Sequence, residues 1–186
     1  MTFLEEIGMS ISFEMNEDKA IEALVWLAGK QRGITPFYVS KVLYFADKEH
    51  LNCYGRPILG DTYFKMEFGP VPSKIYDLIK KSCKNKNILK KFTDAVDVRG
   101  GFGHLHPRRE PNMEMFSRTD IECLTNALKK YGRRKFGNLS DISHDEPAWK
   151  NAPENGAMDY EDMIDKSPKQ KEIIQNLKEH SRQIVF

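Results

Sequence analysis

The chain has 186 residues, of which 40% are hydrophobic and 11% aromatic, so it contains enough apolar material for an ordinary folded core. No apolar run reaches the roughly 18 residues that a membrane-spanning helix needs, and the N-terminal residues lack the basic and apolar regions of a signal peptide. The 3 cysteines are widely spaced and form no C-x-x-C pair, which favours reduced thiols over disulfides or a zinc site. We therefore expect a cytoplasmic protein.

The net charge of +2 conceals a segregation of charges along the chain. Residues 80–135 contain 15 Lys and Arg against 6 Asp and Glu, whereas residues 141–165 contain 8 acidic residues and a single Lys. A surface of two signs suits electrostatically steered contact with another macromolecule, although charged runs are most often solvated faces.

The N-terminal half predicts two long helices followed by a short strand. Apolar residues at helical spacing indicate a helix over residues 17–31, and Pro36 suits the first position of a second helix that ends near Leu51. Alternation of polar and apolar residues over 61–68 predicts a strand. The stretch GPVPS after it is expected to turn the chain into a third helix that extends to Cys83.

The C-terminal half begins with the least regular part of the sequence. Residues 84–115 combine basic side chains with Gly, Pro and Asn, so we predict a loose, irregular basic hairpin or arm there. Ser117 and Asp120 have the spacing of a capping box at the start of the next helix, and a C-terminal helix is expected within 166–186. The sequence thus predicts an α+β fold that is predominantly α-helical, with a small antiparallel sheet or hairpin. We expect a single compact domain over the whole chain, with its core over about 17–164.

The segment SDISHDE places Ser140, Ser143 and His144 close to two aspartates, which are the residue types of a nucleophile–base–acid triad. A triad is assembled by the fold, however, and neighbouring residues on one short helix point in different directions. Ser140 or Asp141 is more simply explained as a helix cap. We therefore do not expect an enzyme, and a hydrolase using His144 is the least favoured alternative.

A metal or phosphate site has only weak support in the sequence. His104 and His106 would face the same side of a strand, which suits two metal ligands, but a third ligand at recognisable spacing is missing. Arg108 and Arg109 beside them would repel a cation. The glycines of GGFGHLH are not followed by the Lys-Ser/Thr of a phosphate loop. We expect neither a metal nor a cofactor.

Nucleic-acid binding is the strongest of these alternatives. The stretches KKSCKNKNILKK and KKYGRRKFG are basic, and Tyr131 and Phe136 in the second are candidates for stacking on bases. The near-neutral net charge, the acidic tract and the lack of a helix-turn-helix pattern count against it. A nucleic-acid-binding regulator therefore remains an open alternative.

Two blocks of sequence together resemble a known family. The first spans residues 41–77 and contains YFAD-x-x-H, YGRPI and GPVPS-x-IYD, and the second spans 116–152 and contains SH-x-EPAW. In this order they resemble the Panacea domain, the SocA-like antitoxin family of bacterial toxin–antitoxin systems and prophages. The resemblance covers about residues 19–164.

The resemblance implies a protein-binding module rather than an enzyme. Antitoxins of this family neutralise diverse toxins by direct contact, and one member acts as a proteolytic adaptor for its toxin. The implied partner is therefore a cognate toxin protein encoded by the adjacent gene, with a protease-adaptor role as a variant of the same function. The family offers no catalytic residue that can be carried over to this chain.

The family-motif positions are expected to be scaffold or binding residues. They are Tyr44, Phe45, Asp47, His50, Tyr54, Gly55, Arg56, Pro57, Gly69, Pro70, Pro72, Tyr76, Ser143, His144, Glu146 and Trp149. The partner surface is expected elsewhere, on the 84–115 arm or at the extreme termini. Candidate contact residues on the arm are Phe102, His104, His106, Arg108 and Arg109.

Overall fold

The computed structural model describes residues 10–184 and residue 186. Within these residues the chain forms eight α-helices and two antiparallel sheets of two strands each. The helices are α1 Glu17–Lys30, α2 Pro36–Tyr54, α3 Ser73–Ile79, α4 Lys86–Ala95, α5 Arg118–Tyr131, α6 Phe136–His144, α7 Pro147–Asn151 and α8 Gln170–His180. The strands are β1 Tyr63–Met66, β2 Gly69–Pro72, β3 Val96–Arg99 and β4 His104–Pro107. The predicted α+β, mainly helical fold class is confirmed.

The helices α1 and α2 supply much of the hydrophobic core. Nearly the whole of α1 from Lys19 to Ala28 is buried, because its apolar residues cover more than one face of the helix. The helix begins after Asn16, whose side chain accepts a hydrogen bond from the backbone N–H of Lys19 at 3.0 Å. The second helix packs against α5, where the Phe45 and Tyr131 rings stack with centroids 4.0 Å apart. No helix of the described residues is long and apolar enough to cross a membrane.

The stretch Gly69–Pro72, which we predicted to be a turn, is itself the strand β2 and pairs antiparallel with β1. Two prolines fit here because β2 is an edge strand. At positions whose N–H would point away from β1, proline does not remove a hydrogen bond of the sheet. The other edge of β1 is covered, since the N–H of Lys65 donates to the carbonyl of Gly156 at 2.9 Å. Pro72 then precedes α3, which ends at Ile79 and so is shorter than predicted.

Residues 84–115 are more regular than we predicted. They contain α4 and the β3–β4 hairpin, so the predicted hairpin is present but the description as a loose, irregular arm is wrong. Phe92 and Leu105 are fully buried, and the N–H of Leu105 donates to the carbonyl of Ile34 at 2.9 Å. The basic residues concealed the helix, although the buried residues of α4 recur on one helical face at Ile88, Phe92 and Ala95.

The start of α5 is the capping box that the sequence predicts. The Ser117 hydroxyl accepts a hydrogen bond from the N–H of Asp120 at 3.1 Å, and the Asp120 carboxylate accepts one from the N–H of Ser117 at 2.9 Å. After α5 the chain forms α6 and α7, and α6 ends at His144, ahead of Pro147. A C-terminal helix, α8, lies within the range expected for it.

Candidate functional site

A buried polar network joins α1, α2 and α5 around the Asp120 carboxylate; we call Lys19, His50, Arg56 and Asp120 the Asp120 network. Lys19 Nζ lies 2.8 Å from Asp120 Oδ2, and Arg56 Nη2 lies 3.0 Å from Oδ1. Burial would raise the pKa of Asp120, but the hydrogen bonds from Lys19 and from the N–H of Ser117 lower it overall. The carboxylate is therefore held in its charged form by partners that are all within the fold.

The imidazole of His50 completes this network in its neutral form. Its Nδ1–H donates to the carbonyl of Arg56 at 2.8 Å. Nε2 lies 2.9 Å from the Thr119 hydroxyl and 3.2 Å from Asp120 Oδ1, and in the neutral ring it accepts from that hydroxyl. Burial lowers the pKa of His50, which keeps the ring uncharged at pH 7. The motif positions His50 and Arg56 thus fasten the end of α2 to the start of α5.

Asp47 fastens the middle of α2 to the chain that leads into β1. Its carboxylate accepts hydrogen bonds from the backbone N–H of Ile58 at 2.8 Å, the N–H of Leu59 at 3.2 Å and the Tyr63 hydroxyl at 2.9 Å. Complete burial raises the pKa of Asp47 to about 6, although these donors oppose the shift. This motif position is inaccessible to a partner protein.

The SH-x-EPAW motif packs onto α2 and the β1–β2 hairpin. The Tyr44 hydroxyl donates to Glu146 Oε2 at 3.1 Å, and Lys48 Nζ lies 2.6 Å from the same oxygen. Trp149 stacks on the His144 ring with centroids 4.0 Å apart, and its Nε1–H donates to the carbonyl of Met66 at 3.1 Å. The two motif blocks are therefore in direct contact in the fold.

Gly69 of β2 lies close to side chains of α2 and α6. Its φ is +101°, which side chains rarely adopt, and a Cβ there would lie 2.0 Å from Ser143 Oγ and 2.8 Å from Lys41 Cε. Ser143 is fully buried, and its hydroxyl donates to the carbonyl of Ser140 at 2.8 Å. The glycine of GPVPS is therefore required by both its backbone conformation and its neighbours.

An open cavity of about 850 Å³ lies beside this junction. It is formed by the start of α2, the β1–β2 hairpin, α3, the tip of the β3–β4 hairpin and the start of α6; we call it the aromatic groove. Its aromatic lining is Phe37, Tyr38, Phe64, Phe68, Tyr76, Phe102 and Phe136. Several of these side chains are exposed, and Phe102 at the hairpin tip is 81% exposed. A groove of this size and character is typical of a binding site.

Lys41 on α2 is the buried cation of the aromatic groove. The residue is 1% exposed, and its Nζ donates to the carbonyl of Pro70 at 3.1 Å and lies 4.9 Å from the centre of the Phe37 ring. Burial lowers the pKa of Lys41 to about 7. Sequence reasoning missed this residue, although a lysine inside the apolar run VSKVLYFA, one helical turn after Phe37, is a signal of a functional cation.

Of the remaining motif positions, some end or fill an element of the fold and others are exposed to solvent. Gly55 ends α2 in the left-handed conformation with φ +74°, and its N–H donates to the carbonyl of Leu51. Pro57 is buried, while Tyr54 is exposed and its ring lies 4.8 Å from that of His50. Among the motif positions, Gly69 and Tyr76 line the aromatic groove.

The candidate contact residues of the 84–115 segment have different contacts in the fold. Phe102 lines the aromatic groove, whereas His104 Nδ1–H donates to the carbonyl of Gly33 at 2.8 Å. Arg108 pairs with Asp97 at 3.2 Å, and Arg109 Nη1 donates to Glu22 Oε2 at 2.8 Å. His106 lies on β4 opposite Asp97. Of the extreme termini, residues 1–9 and 185 lie outside the described residues.

The proposed serine–histidine pair and the proposed metal ligands do not form a complete triad or metal site in the described residues. Ser140 Oγ and His144 Nε2 are 3.4 Å apart, and within residues 10–184 and 186 no carboxylate forms a hydrogen bond with His144. A catalytic triad also needs an acid that orients the base, and this pair lacks one among the described residues. In the same residues no group of three or more His, Cys, Asp or Glu side chains is placed to hold a metal ion.

The two aromatic residues proposed for base stacking have other contacts. Tyr131 is buried and stacks on Phe45, so its prediction as a base-stacking residue is wrong. Phe136 is exposed, but it packs on Phe37 with centroids 4.3 Å apart and belongs to the aromatic groove. The basic stretches therefore lack a shared aromatic platform at these two positions.

Comparison with known proteins identifies the family. A family model described as "Antitoxin SocA-like, Panacea domain" matches residues 39–150, which is more than half of the chain. No curated protein and no solved structure matches the chain. The matched range extends from α2 into α7 and so includes Lys41, Gly69 and Ser143, which meet beside the aromatic groove. The chain belongs to the SocA-like antitoxin family with a Panacea domain.

Proposed function

We propose that this chain is an antitoxin that binds a cognate toxin protein and neutralises it by direct contact. The observation that carries the proposal is the family match over residues 39–150. The geometry supports a binding role, because most motif side chains are buried in hydrogen bonds or packing and the aromatic groove beside them is open. Such an arrangement suits recognition by surface contact rather than turnover.

The proposed partner is encoded next to this chain, on a bacterial or prophage genome, and both proteins act in the cytoplasm. The basic 80–135 region and the acidic 141–165 region would steer the encounter with a toxin of complementary charge. Neutralisation has two routes within the same function: the antitoxin blocks the toxin directly, or it delivers the toxin to a protease. We favour the direct block.

Co-expression with the product of the adjacent gene tests the proposal. We expect the wild-type chain to restore growth to cells that express the adjacent gene and to co-purify with its product. A version truncated within α2 is the control, because it lacks most of the family domain. If the chain neither restores growth nor forms a complex with the adjacent product, the proposed function is contradicted. Rescue with falling toxin levels, lost in a strain without ATP-dependent proteases, would replace the direct block with the adaptor route.

A further inference from the structure

The exposed apolar side chains of this protein are concentrated at the aromatic groove. Most of the large hydrophobic residues that are exposed in the described part of the chain line this groove, namely Met66, Phe68, Tyr76, Phe102 and Phe136. Phe68 packs on Phe136 with ring centroids 5.2 Å apart, so the two form one continuous apolar wall. An apolar patch of this kind on a folded chain marks an interaction site.

The ammonium of Lys41 has bonding capacity that the fold leaves unused. A lysine ammonium has three N–H donors, and within the described residues its only hydrogen-bond acceptor is the carbonyl of Pro70. Among those residues, no carboxylate oxygen of an Asp or Glu lies within 4 Å of Lys41 Nζ, the distance that defines an ion pair. The buried Lys19, by contrast, pairs with Asp120. A buried charge without a counter-charge is unfavourable, and an incoming carboxylate would compensate it.

Other charged and titratable groups around the groove do not fill this role. Glu67 lies at the β1–β2 turn, and Asp77 and Lys80 lie at the end of α3, all exposed at the rim. The Tyr38 hydroxyl of α2 donates to the carbonyl of Arg134, and Tyr76 of α3 is an exposed phenol. Two serine hydroxyls that line the groove already donate elsewhere, Ser40 to the carbonyl of Pro36 and Ser73 to the carboxylate of Asp61. The nearby Ser143 hydroxyl donates to the carbonyl of Ser140.

We propose that the aromatic groove receives an apolar segment of the toxin, and that an Asp or Glu side chain of that segment pairs with Lys41 Nζ. This inference rests on the proposed function, because it takes the toxin as the occupant. The apolar wall supplies the contact area and the unpaired ammonium supplies the charge complementarity. A carboxylate that reaches a buried ammonium is desolvated on binding, which makes the pair a specific anchor.

Binding of the co-purified toxin to full-length variants tests the inference. Lys41→Met is expected to weaken binding by about tenfold or more, because it removes a buried charge-assisted hydrogen bond. The matched control is Lys65→Met: Lys65 is also buried and donates to a carbonyl, that of Ala152, but it pairs with Glu154 and does not line the groove. We expect this control to stay within about twofold of wild type.

The apolar half of the inference has its own matched pair. Phe68, which is 47% exposed in the groove, and Met113, which is 46% exposed outside it, present similar apolar side chains to solvent. Phe68→Ala is expected to weaken toxin binding by about tenfold, whereas Met113→Ala should leave it unchanged. Equal effects at the two positions would contradict the groove as the binding site.

Identification of the carboxylate completes the test. Each Asp and Glu of the toxin is replaced in turn by Asn or Gln, and binding is measured with wild type and with Lys41→Met. One replacement is expected to weaken binding to wild type but not to Lys41→Met, the sign of direct coupling. If no acidic residue couples to Lys41, the proposed ion pair is wrong. If Lys41→Met does not fold, Lys41→Gln keeps a donor and tests the charge.

The outcomes separate this inference from the proposed function. Failure of the wild-type chain to bind or neutralise the adjacent product contradicts both. A wild-type complex that is equally tight with Lys41→Met and Phe68→Ala contradicts the groove and leaves the antitoxin function standing. A complex weakened at both positions, with both controls intact, supports the inference.

Discussion

Two lysines on consecutive helices are almost completely buried, yet their surroundings differ. Lys19 on α1 is 2% exposed and its Nζ lies 2.8 Å from the Asp120 carboxylate. Lys41 on α2 is 1% exposed and donates only to the carbonyl of Pro70 among the described residues. Burial lowers the pKa of both, but Asp120 opposes the shift at Lys19, whereas no charged group opposes it at Lys41.

The difference separates a structural lysine from a binding lysine. The Asp120 network joins α1, α2 and α5 and is complete within the fold, so its charges serve to hold these helices together. Lys41 lies at the edge of an open apolar groove and lacks a counter-charge, so the fold bears an energetic cost that a bound carboxylate would offset. Measurements of the free energy of unfolding for variants near Lys19 and near Lys41 test this difference.

The largest effect is expected from Asp120→Ala. It leaves Lys19 buried without its partner and removes the capping box of α5, so we expect the free energy of unfolding to fall by roughly 3–5 kcal/mol. Glu122→Ala is the control, because Glu122 is exposed on the same helix and should change stability by less than about 0.5 kcal/mol. Chemical denaturation measures both. Equal stability of the two variants would show that the Asp120 network is not structural.

A smaller effect is expected from Gly69→Ala, which disturbs the packing around Lys41. The added Cβ would meet Ser143 Oγ and Lys41 Cε at a φ of +101°, so the free energy of unfolding should fall by roughly 1–3 kcal/mol. Gly137→Ala is the matched control, since nothing lies within 4 Å of its Cβ position, and in helix α6 it should be neutral or stabilising. A Gly69→Ala protein as stable as Gly137→Ala would contradict the close packing at this junction.

The titration of Lys41 should change stability gradually, and within one pH unit its effect is the smallest of the three. Its pKa is about 7 in the folded protein, below the ordinary lysine value of 10.5, so the unfolded chain binds one more proton between these pH values. The stability of wild type relative to Lys41→Met should therefore rise by ~1.4 kcal/mol per pH unit from pH 7 toward 10.5, and fall as the pH returns to 7. Denaturation of both proteins across this range measures the slope. Parallel pH profiles would show that Lys41 is solvated.

The fold was largely predictable because its main elements have local signals. The capping box at Ser117 and Asp120 and the apolar face of α1 depend on nearby residues alone, and both are confirmed. The strand β2 was missed because Pro70 and Pro72 favour a turn by local rules, whereas pairing with β1 overrides that preference. The helix α4 was missed because its exposed lysines dominate its composition.

The candidate site was less predictable, because it is formed by contacts between distant parts of the chain. The motif GPVPS was recognisable, but its closeness to Ser143 and Lys41 depends on the packing of α6 and α2 around Gly69. Lys19 and Asp120 are far apart in sequence, and no local pattern pairs them. Phe102 was predicted as a contact residue of an arm, and the structure places it at one end of the aromatic groove.

The most direct test of the central claim is an NMR titration of the lysine Nζ groups, with and without the bound toxin. A carboxylate beside an ammonium favours its charged form, so the pKa of Lys41 should rise from about 7 when the toxin binds. The pKa of Lys19 should stay the same, since Asp120 is already its partner. An unchanged pKa of Lys41 in the complex would contradict the claim that the toxin supplies the missing counter-charge in the aromatic groove.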